Sequence, residues 1–286
     1  MAGSIVTVWG PTGAPGRSST AIGIATELCL QGHRVGLVDA DTYGGSLAGY
    51  LELFDEIPGF LSLCRLAEVG KLDESESARL SHRVVLGRHE FTVFTGIVNP
   101  ARWPELSPQK VRAGLSNLVS RFDFIIIDVG FNLEEDEEIT SDLLSPRRNQ
   151  ATVACIKGSD FVVAVGAAEV VPLARYIHAL DALKVIVAGA DIVHVVNRVR
   201  RSGALSGAAQ TVRNTLGRFA GIDEVFLIDE DVKACDAAAV AGAPVTVVAP
   251  KSSVAKQLRE LAGALTARAR AKNDGEAQDV MVPAAG

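Results

Sequence analysis

Short uninterrupted runs of Val, Ile and Phe recur along the chain, and stretches with helical spacing separate them; Phe124-Ile125-Ile126-Ile127-Asp128 is the plainest run. A strand that buries only one face alternates apolar and polar residues. A run apolar at every position has both faces covered, as strands of a parallel sheet do. Such runs predict strands over residues 5–9, 35–39, 124–128, 161–165 and 192–196, with weaker ones at 84–86, 91–94, 185–187, 225–228 and 245–248. Helical patterns fill the gaps, at about 18–31, 46–54, 61–69, 108–120, 146–157, 169–183, 204–219, 232–241 and 252–270. The alternation predicts an α/β fold: a doubly wound, mostly parallel sheet with helices on both faces. Residues 83–95 break the pattern. Val84-Val85-Leu86, then Gly87-Arg88-His89-Glu90, then Phe91-Thr92-Val93-Phe94 predict a hairpin or a short edge strand.

With 286 residues, 48% of them hydrophobic, the chain can bury one large core. No internal linker stands out, so one domain is expected over residues 1–271. Residues 272–286, rich in Ala, Asp, Gly and Pro, read as a disordered tail. No stretch approaches 18 apolar residues, and no charged segment leads into an apolar one at the start, so neither a membrane span nor a secretory leader is expected. Cys29, Cys64, Cys155 and Cys235 form no C-x-x-C pair and suit reduced thiols in a cytoplasmic protein. A net charge of −6 and a pI near 5.5 argue against nucleic-acid binding over the whole surface, while leaving local basic patches open.

Between the first strand and the first helix stands Gly10-Pro11-Thr12-Gly13-Ala14-Pro15-Gly16-Arg17-Ser18-Ser19. A glycine-rich turn in this setting lets the backbone approach an anion at a helix start. It has two readings. Gly10-x-x-Gly13-x-x-Gly16 resembles the dinucleotide turn of short-chain dehydrogenase relatives, and Asp39 at the end of the second strand suits a ribose-binding carboxylate. Catalysis of that class also needs Tyr-x-x-x-Lys, and Tyr43, Tyr50 and Tyr176 have Leu47, Phe54 and Leu180 four residues on. A non-catalytic NAD(P) sensor passes that test. In the other reading, Pro11 to Ser18 resembles a phosphate-binding P-loop, with Pro11 at the first glycine and Arg17 at the lysine.

Three further segments favour the P-loop. Asp39-Ala40-Asp41-Thr42-Tyr43-Gly44-Gly45-Ser46-Leu47 resembles the D-x-D-x-x-x-x-S-L segment of the MinD/ParA family of P-loop ATPases, whose pilus-localisation relatives are of the CpaE and TadZ type. Phe122-Asp123-Phe124-Ile125-Ile126-Ile127-Asp128-Val129-Gly130 resembles that family's Walker B strand. Val195-Val196-Asn197-Arg198-Val199 resembles its strand end whose Asn meets adenine. All three occur in the family's order.

The resemblance implies ATP or ADP with Mg²⁺ as ligands. Backbone groups of Gly13, Ala14, Pro15, Gly16, Arg17, Ser18 and Ser19 would cradle the phosphates. Ser18 would reach Mg²⁺, with Asp39 and Asp128 behind it, and Ser19 would meet the α-phosphate. Asp41 would orient the attacking water and Asn197 would meet the base. Each has a plainer explanation: an N-cap for Ser18, a turn-former for Asp41 and for Asn197, a cap on the next segment for Asp128. Asp128 ends an all-apolar strand, so it is the hardest to explain without a cationic partner.

The departures bear on turnover. The family's usual loop is x-K-G-G-x-G-K-[ST]. Here Thr12 stands at the signature lysine, which crosses to a dimer partner's phosphates, and Arg17 at the Walker lysine. A planar guanidinium is no substitute for a compact ammonium, and Pro15 removes one N–H. The expectation is therefore nucleotide binding with slow or absent hydrolysis. The resemblance implies that it serves the positioning or recruitment of a larger assembly, such as a pilus, secretion, division or chromosome-partitioning apparatus. A protein partner is expected, and a homodimer is left open by Thr12. An NAD(P)-binding reductase or sensor, and a scaffold that binds no nucleotide, are the alternatives.

Other segments read as ordinary surface or packing. Glu134-Glu135-Asp136-Glu137-Glu138 is a solvated loop or a dock for a basic partner, and Arg147 and Arg148 are expected to pair with it. Arg198, Arg200, Arg201, Arg213 and Arg218 are solvated arginines or a DNA-contacting patch. Leu258, Leu261 and Leu265 pack the last helix on the sheet, or else let it touch a membrane peripherally. Trp103-Pro104-Glu105-Leu106 is an ordered loop without assigned chemistry.

Overall fold

A computed structural model describes residues 3–55, 57, 59–134, 146–187, 189–200 and 207–280, with the backbone alone for 275–280. Residues 135–138 of the acidic run and Arg201 lie outside the described residues.

The apolar runs become strands, and those over residues 5–9, 35–39, 124–128 and 161–165 are buried along their length. β1 (Ser4–Trp9), β2 (Val35–Ala40), β3 (His82–Leu86), β4 (His89–Phe94), β5 (Phe124–Val129), β6 (Phe161–Ala167), β7 (Asp191–Val199) and β8 (Phe226–Asp229) form one sheet in the order β3-β4-β2-β5-β1-β6-β7-β8. All neighbours are parallel except β3 and β4, which make the expected hairpin. Successive side chains of β5 enter two different cores, which explains why every position is apolar. Ile125, Ile127 and Val129 pack on one face, and Phe124 and Ile126 on the other.

The first face is covered by α3 (Gly59–Glu68), α5 (Pro108–Val119), α6 (Gln150–Lys157), α7 (Val170–Ile186) and α8 (Ala208–Ala220). The second is covered by α1 (Arg17–Leu30), α9 (Val232–Val240), α10 (Val245–Val248) and α11 (Ser253–Val280), with the one-turn α2 (Leu47–Tyr50) beside them. α1 returns the chain from β1 to β2 on one side, and β6 lies on the other side of β1. The loop after β1 therefore opens at a switch point of the sheet, above the carboxyl ends of the strands.

Two expected strands are helical. Residues 185–187 end α7 because Leu173, Tyr176, Leu180, Leu183 and Ile186 make a buried stripe at helical spacing. Residues 245–248 form α10. Pro244 accepts from the N–H groups of Val247 and Val248, and Val245 and Thr246 are buried against the second core, so the segment caps the sheet without extending it. The helix expected over 46–54 shrinks to α2. α11 runs to Val280, past its expected end near 270 and into the stretch expected to be disordered. Two elements carried no helical signal: α4 (Glu74–Arg79), capped by Asp73 on Glu76 N–H at 2.8 Å, and a 3₁₀ turn at Pro100–Glu105. Leu258, Leu261 and Leu265 are buried, as sheet packing requires. No helix among the described residues is long and apolar enough to cross a membrane.

Candidate functional site

The loop turns at two glycines held in the left-handed region, Gly13 at φ 81° and Gly16 at φ 89°. At Gly16 space forces glycine as well, since a Cβ there would stand 2.0 Å from Asn197 Nδ2. Gly16 caps α1 without a side-chain bond, and the first turn of α1 carries no acid. The N–H groups of Arg17, Ser18 and Ser19 thus have no carbonyl one turn back and point at the crevice. Ala14 does not share this role: its N–H donates to Pro11 O at 3.0 Å, and Pro15 has none.

Arg17 folds back over the loop. Its Nη1 donates to Gly10 O at 3.3 Å and lies 3.5 Å from Pro11 O, and its Nη2 is 3.9 Å from Asp41 Oδ2. Asp41 is also a turn-former, because its Oδ1 accepts from Tyr43 N–H at 2.8 Å and Gly44 N–H at 3.2 Å.

Behind the loop, register brings two carboxylates together. Asp39 and Asp128 are direct partners on adjacent strands and project toward α1. Both are almost wholly buried. Asp39 is tied down, with Oδ1 accepting from Asp41 N–H at 3.1 Å and Oδ2 from Leu47 N–H at 3.2 Å. Asp128 is held on one side only: the Ser18 side chain hydrogen-bonds the carboxyl, while its Oδ1 is buried without a hydrogen-bond partner. The Ser18 hydroxyl lies beside Asp128 and accepts from Ser46 Oγ at 2.8 Å. Burial is the main force raising both carboxyl pKa values, and on Asp128 the charge of Asp39 adds to it. An orphaned carboxylate oxygen, a second acid and a hydroxyl at one point suit a divalent cation. Magnesium, which takes few protein ligands and keeps most of its waters, is compatible with one hydroxyl and two acids behind it.

Asn197 is at the end of β7, beside the loop. Its Nδ2 donates to Pro15 O at 3.3 Å, and its Oδ1 accepts from Arg198 N–H at 2.8 Å. It borders a cleft of about 610 Å³ with Pro15, Gly16, Ser19, Tyr50 and Asp231. Tyr50, Asp231 and the α9 wall escaped sequence reasoning. They carry no motif: Tyr50 comes in on α2, which touches α1, and Asp231 caps α9, which meets α1 through α10.

The segments around Asp41 and after β5 are clasped together. Arg148 donates through Nε and Nη2 to Thr42 O at 3.0 and 2.8 Å, and its guanidinium lies 4.7 Å from the centre of the Tyr43 ring. Asn132 Nδ2 meets the Tyr43 hydroxyl at 3.3 Å, and Trp9 Nε1 donates to Phe131 O at 3.1 Å. Arg148 is thus engaged with the Asp41 turn; its expected pairing with the acidic run involves residues 135–138, which lie outside the described residues. The described arginines of the basic cluster make no continuous patch. Arg198 lies 3.9 Å from Glu169, Arg200 bonds Glu230 at 2.6 Å, Arg213 donates to Val225 O and Arg218 covers Phe219.

No family model and no curated protein matches the chain. Solved structures do. A ParA family ATPase from Chlorobium tepidum TLS superposes with a TM-score of 0.74 at 18% identity, over 91% of this chain and 98% of that one. The septum site-determining protein MinD of Pyrococcus horikoshii OT3, complexed with Mg-ADP, gives 0.67 at 20% identity, over 92% and 95%. The MinC:MinD cell division complex of Aquifex aeolicus gives 0.68 at 16%, over 92% and 96%. At such identities the likeness is one of architecture: the chain has the fold of the ParA/MinD P-loop ATPases.

Proposed function

We propose that the chain binds ATP or ADP with Mg²⁺ in the crevice above β1, hydrolyses it slowly or not at all, and uses the bound state to recruit or position a protein assembly. The observation that carries the reading is Asp128: a carboxylate oxygen buried without a partner, beside Ser18 and facing Asp39. Burial holds this carboxyl toward its neutral form, and a cation beside it would bring out the charge, which suits a site for a divalent ion. Ser18 would hold magnesium directly, with Asp39 and Asp128 orienting its water shell. The ion's contribution is positive charge on the phosphate oxygens. The N–H groups of Gly13, Gly16, Arg17, Ser18 and Ser19 would hold the phosphates, and Asn197 with the adjoining cleft would take the base.

Slow turnover follows from Arg17 and Asp41. The cation at the lysine position is engaged with loop carbonyls, and the carboxylate expected to orient water is occupied by its own turn and by Arg17. The MinD neighbours carry Mg-ADP in one case and MinC in another, which supports a nucleotide ligand and a protein partner here. The degenerate loop brings the chain nearest in character to CpaE/TadZ-like relatives. A homodimer would form without the lysine that Thr12 replaces. The dinucleotide reading fares worse, since Asp39 is buried against Asp128 and bonded to Leu47 and Asp41, out of reach of a ribose.

Thermal unfolding with ATP, ADP or NADPH, each with and without Mg²⁺, tests the reading. A ligand present at about 100 times its dissociation constant stabilises by about 2.7 kcal/mol, a shift of a few degrees. Stabilisation by ATP or ADP that grows with Mg²⁺ is expected. Stabilisation by NADPH alone contradicts the reading, and no shift with any of them turns it to the scaffold.

A further inference from the structure

Three arginines surround the phosphate loop, and two of them have carboxylate partners: Arg17 faces Asp41 and Arg198 faces Glu169, each at 3.9 Å. The third is Arg175, in the second turn of α7. Among the described residues it makes no hydrogen bond and no ion pair. Its guanidinium nevertheless lies against the loop. A Cβ built on Gly13 would stand 2.9 Å from Arg175 Nη1, with nothing else from beyond the loop within 4 Å. An exposed arginine gives up hydration and rotamer freedom to lie along a backbone, and no charged group among the described residues compensates it.

The two ends of the loop differ. Pro15, Gly16 and Ser19 border the cleft that would take the base, with Asn197. Gly13 lines a second hollow, with Pro15, Glu169, Pro172 and Arg198, and Arg175 Nη1 lies against the glycine from α7. Gly13 follows Thr12, which stands where the resemblance calls for the signature lysine.

The geometry points to Arg175 as the cation that reads the terminal phosphate of a bound nucleoside triphosphate, supplied by the same chain at the end of the loop where Thr12 provides no charge. The inference rests on the nucleotide-binding reading above. A guanidinium donates two parallel N–H groups to phosphate oxygens. On this inference the Gly13 N–H and Arg175 would share the last phosphoryl group, which a diphosphate lacks, so the residue would separate triphosphate from diphosphate. Gly13 is also the one residue type that leaves room for it, since any side chain there meets both the left-handed backbone and the guanidinium.

The test is the affinity of the full chain for a non-hydrolysable ATP analogue and for ADP, both with Mg²⁺, in the wild type, Arg175→Ala and Arg175→Lys. Arg175→Ala is expected to lose about tenfold or more on the triphosphate, the worth of one charge-assisted hydrogen bond, with ADP affinity unchanged. Arg175→Lys is expected to recover part of the loss. Equal losses on both nucleotides, or none on either, overturn the role of Arg175 while leaving nucleotide binding standing. A wild type that binds neither overturns the nucleotide reading, and this inference with it.

Discussion

Arg17 spreads over two carbonyls and a carboxylate through two separate nitrogens of a rigid planar fork, where an ammonium is a point charge on one nitrogen. A fork spread over Gly10, Pro11 and Asp41 has to leave them before it can follow a phosphate, and Asp41 is held back from a water molecule by the same contact. The substitution Arg17→Lys exchanges the fork for a point charge and frees Asp41. Phosphate release from ATP is expected to rise by about tenfold or more, the scale of one preorganised donor at a reacting phosphate; equal or lower turnover would show that the arginine is not the brake. The residues of this site were legible to different depths. Ser18, Asp39 and Asp128 could be read because each sits at a fixed place in a local pattern: a helix start and two strand ends. Arg175 could not. Its contact with Gly13 depends on how α7 crosses the loop, and its own surroundings in sequence are an ordinary helix.

Elements were legible where burial on two faces wrote the pattern. The five central strands are where the Val and Ile runs place them, and the hairpin of β3 and β4 follows from Gly87 between two apolar runs. Residues 185–187 and 245–248 misled because a short Val-rich run is compatible with either strand or helix. Stripe continuity decided the first case and Pro244 the second. The 3₁₀ turn at Pro100–Glu105 and α4 rest on single caps, Asn99 and Asp73, and periodicity does not register such caps. α11 was legible through its leucines. It packs along α1, the helix that opens the phosphate loop, and Arg259 joins the two through the buried Glu27 at 3.0 Å. Leu261 is fully buried in the core that α11 shares with α1. Leu261→Ala is expected to cost about 2–5 kcal/mol in chemical denaturation, and a cost below about 1 kcal/mol would show that α11 does not brace α1.

Over the whole molecule, the sheet order sets the electrostatics: β2 beside β5 presses two acids into one dry site. In the unfolded chain each titrates near pH 3.9. In the folded chain burial raises both, and the folded state therefore holds more protons than the unfolded state between those values. Stability from this pair is present at the low end and is lost as pH rises toward about 8, the value to which Asp128 is raised. Melting curves in a chelator should thus fall from about pH 5 to about pH 8 more steeply for the wild type than for Asp128→Asn, and adding Mg²⁺ should narrow the difference. Identical profiles would mean that the pair carries no such charge.

The account stands on a cation and a nucleotide sharing the crevice above β1, and calorimetric titration of the protein with ATP tests it most directly, with Mg²⁺, without it, and in Asp128→Asn. One saturable site per chain is expected, weakened by about tenfold or more when either Mg²⁺ or the Asp128 charge is removed. No binding at millimolar ATP, or binding indifferent to both changes, would contradict it.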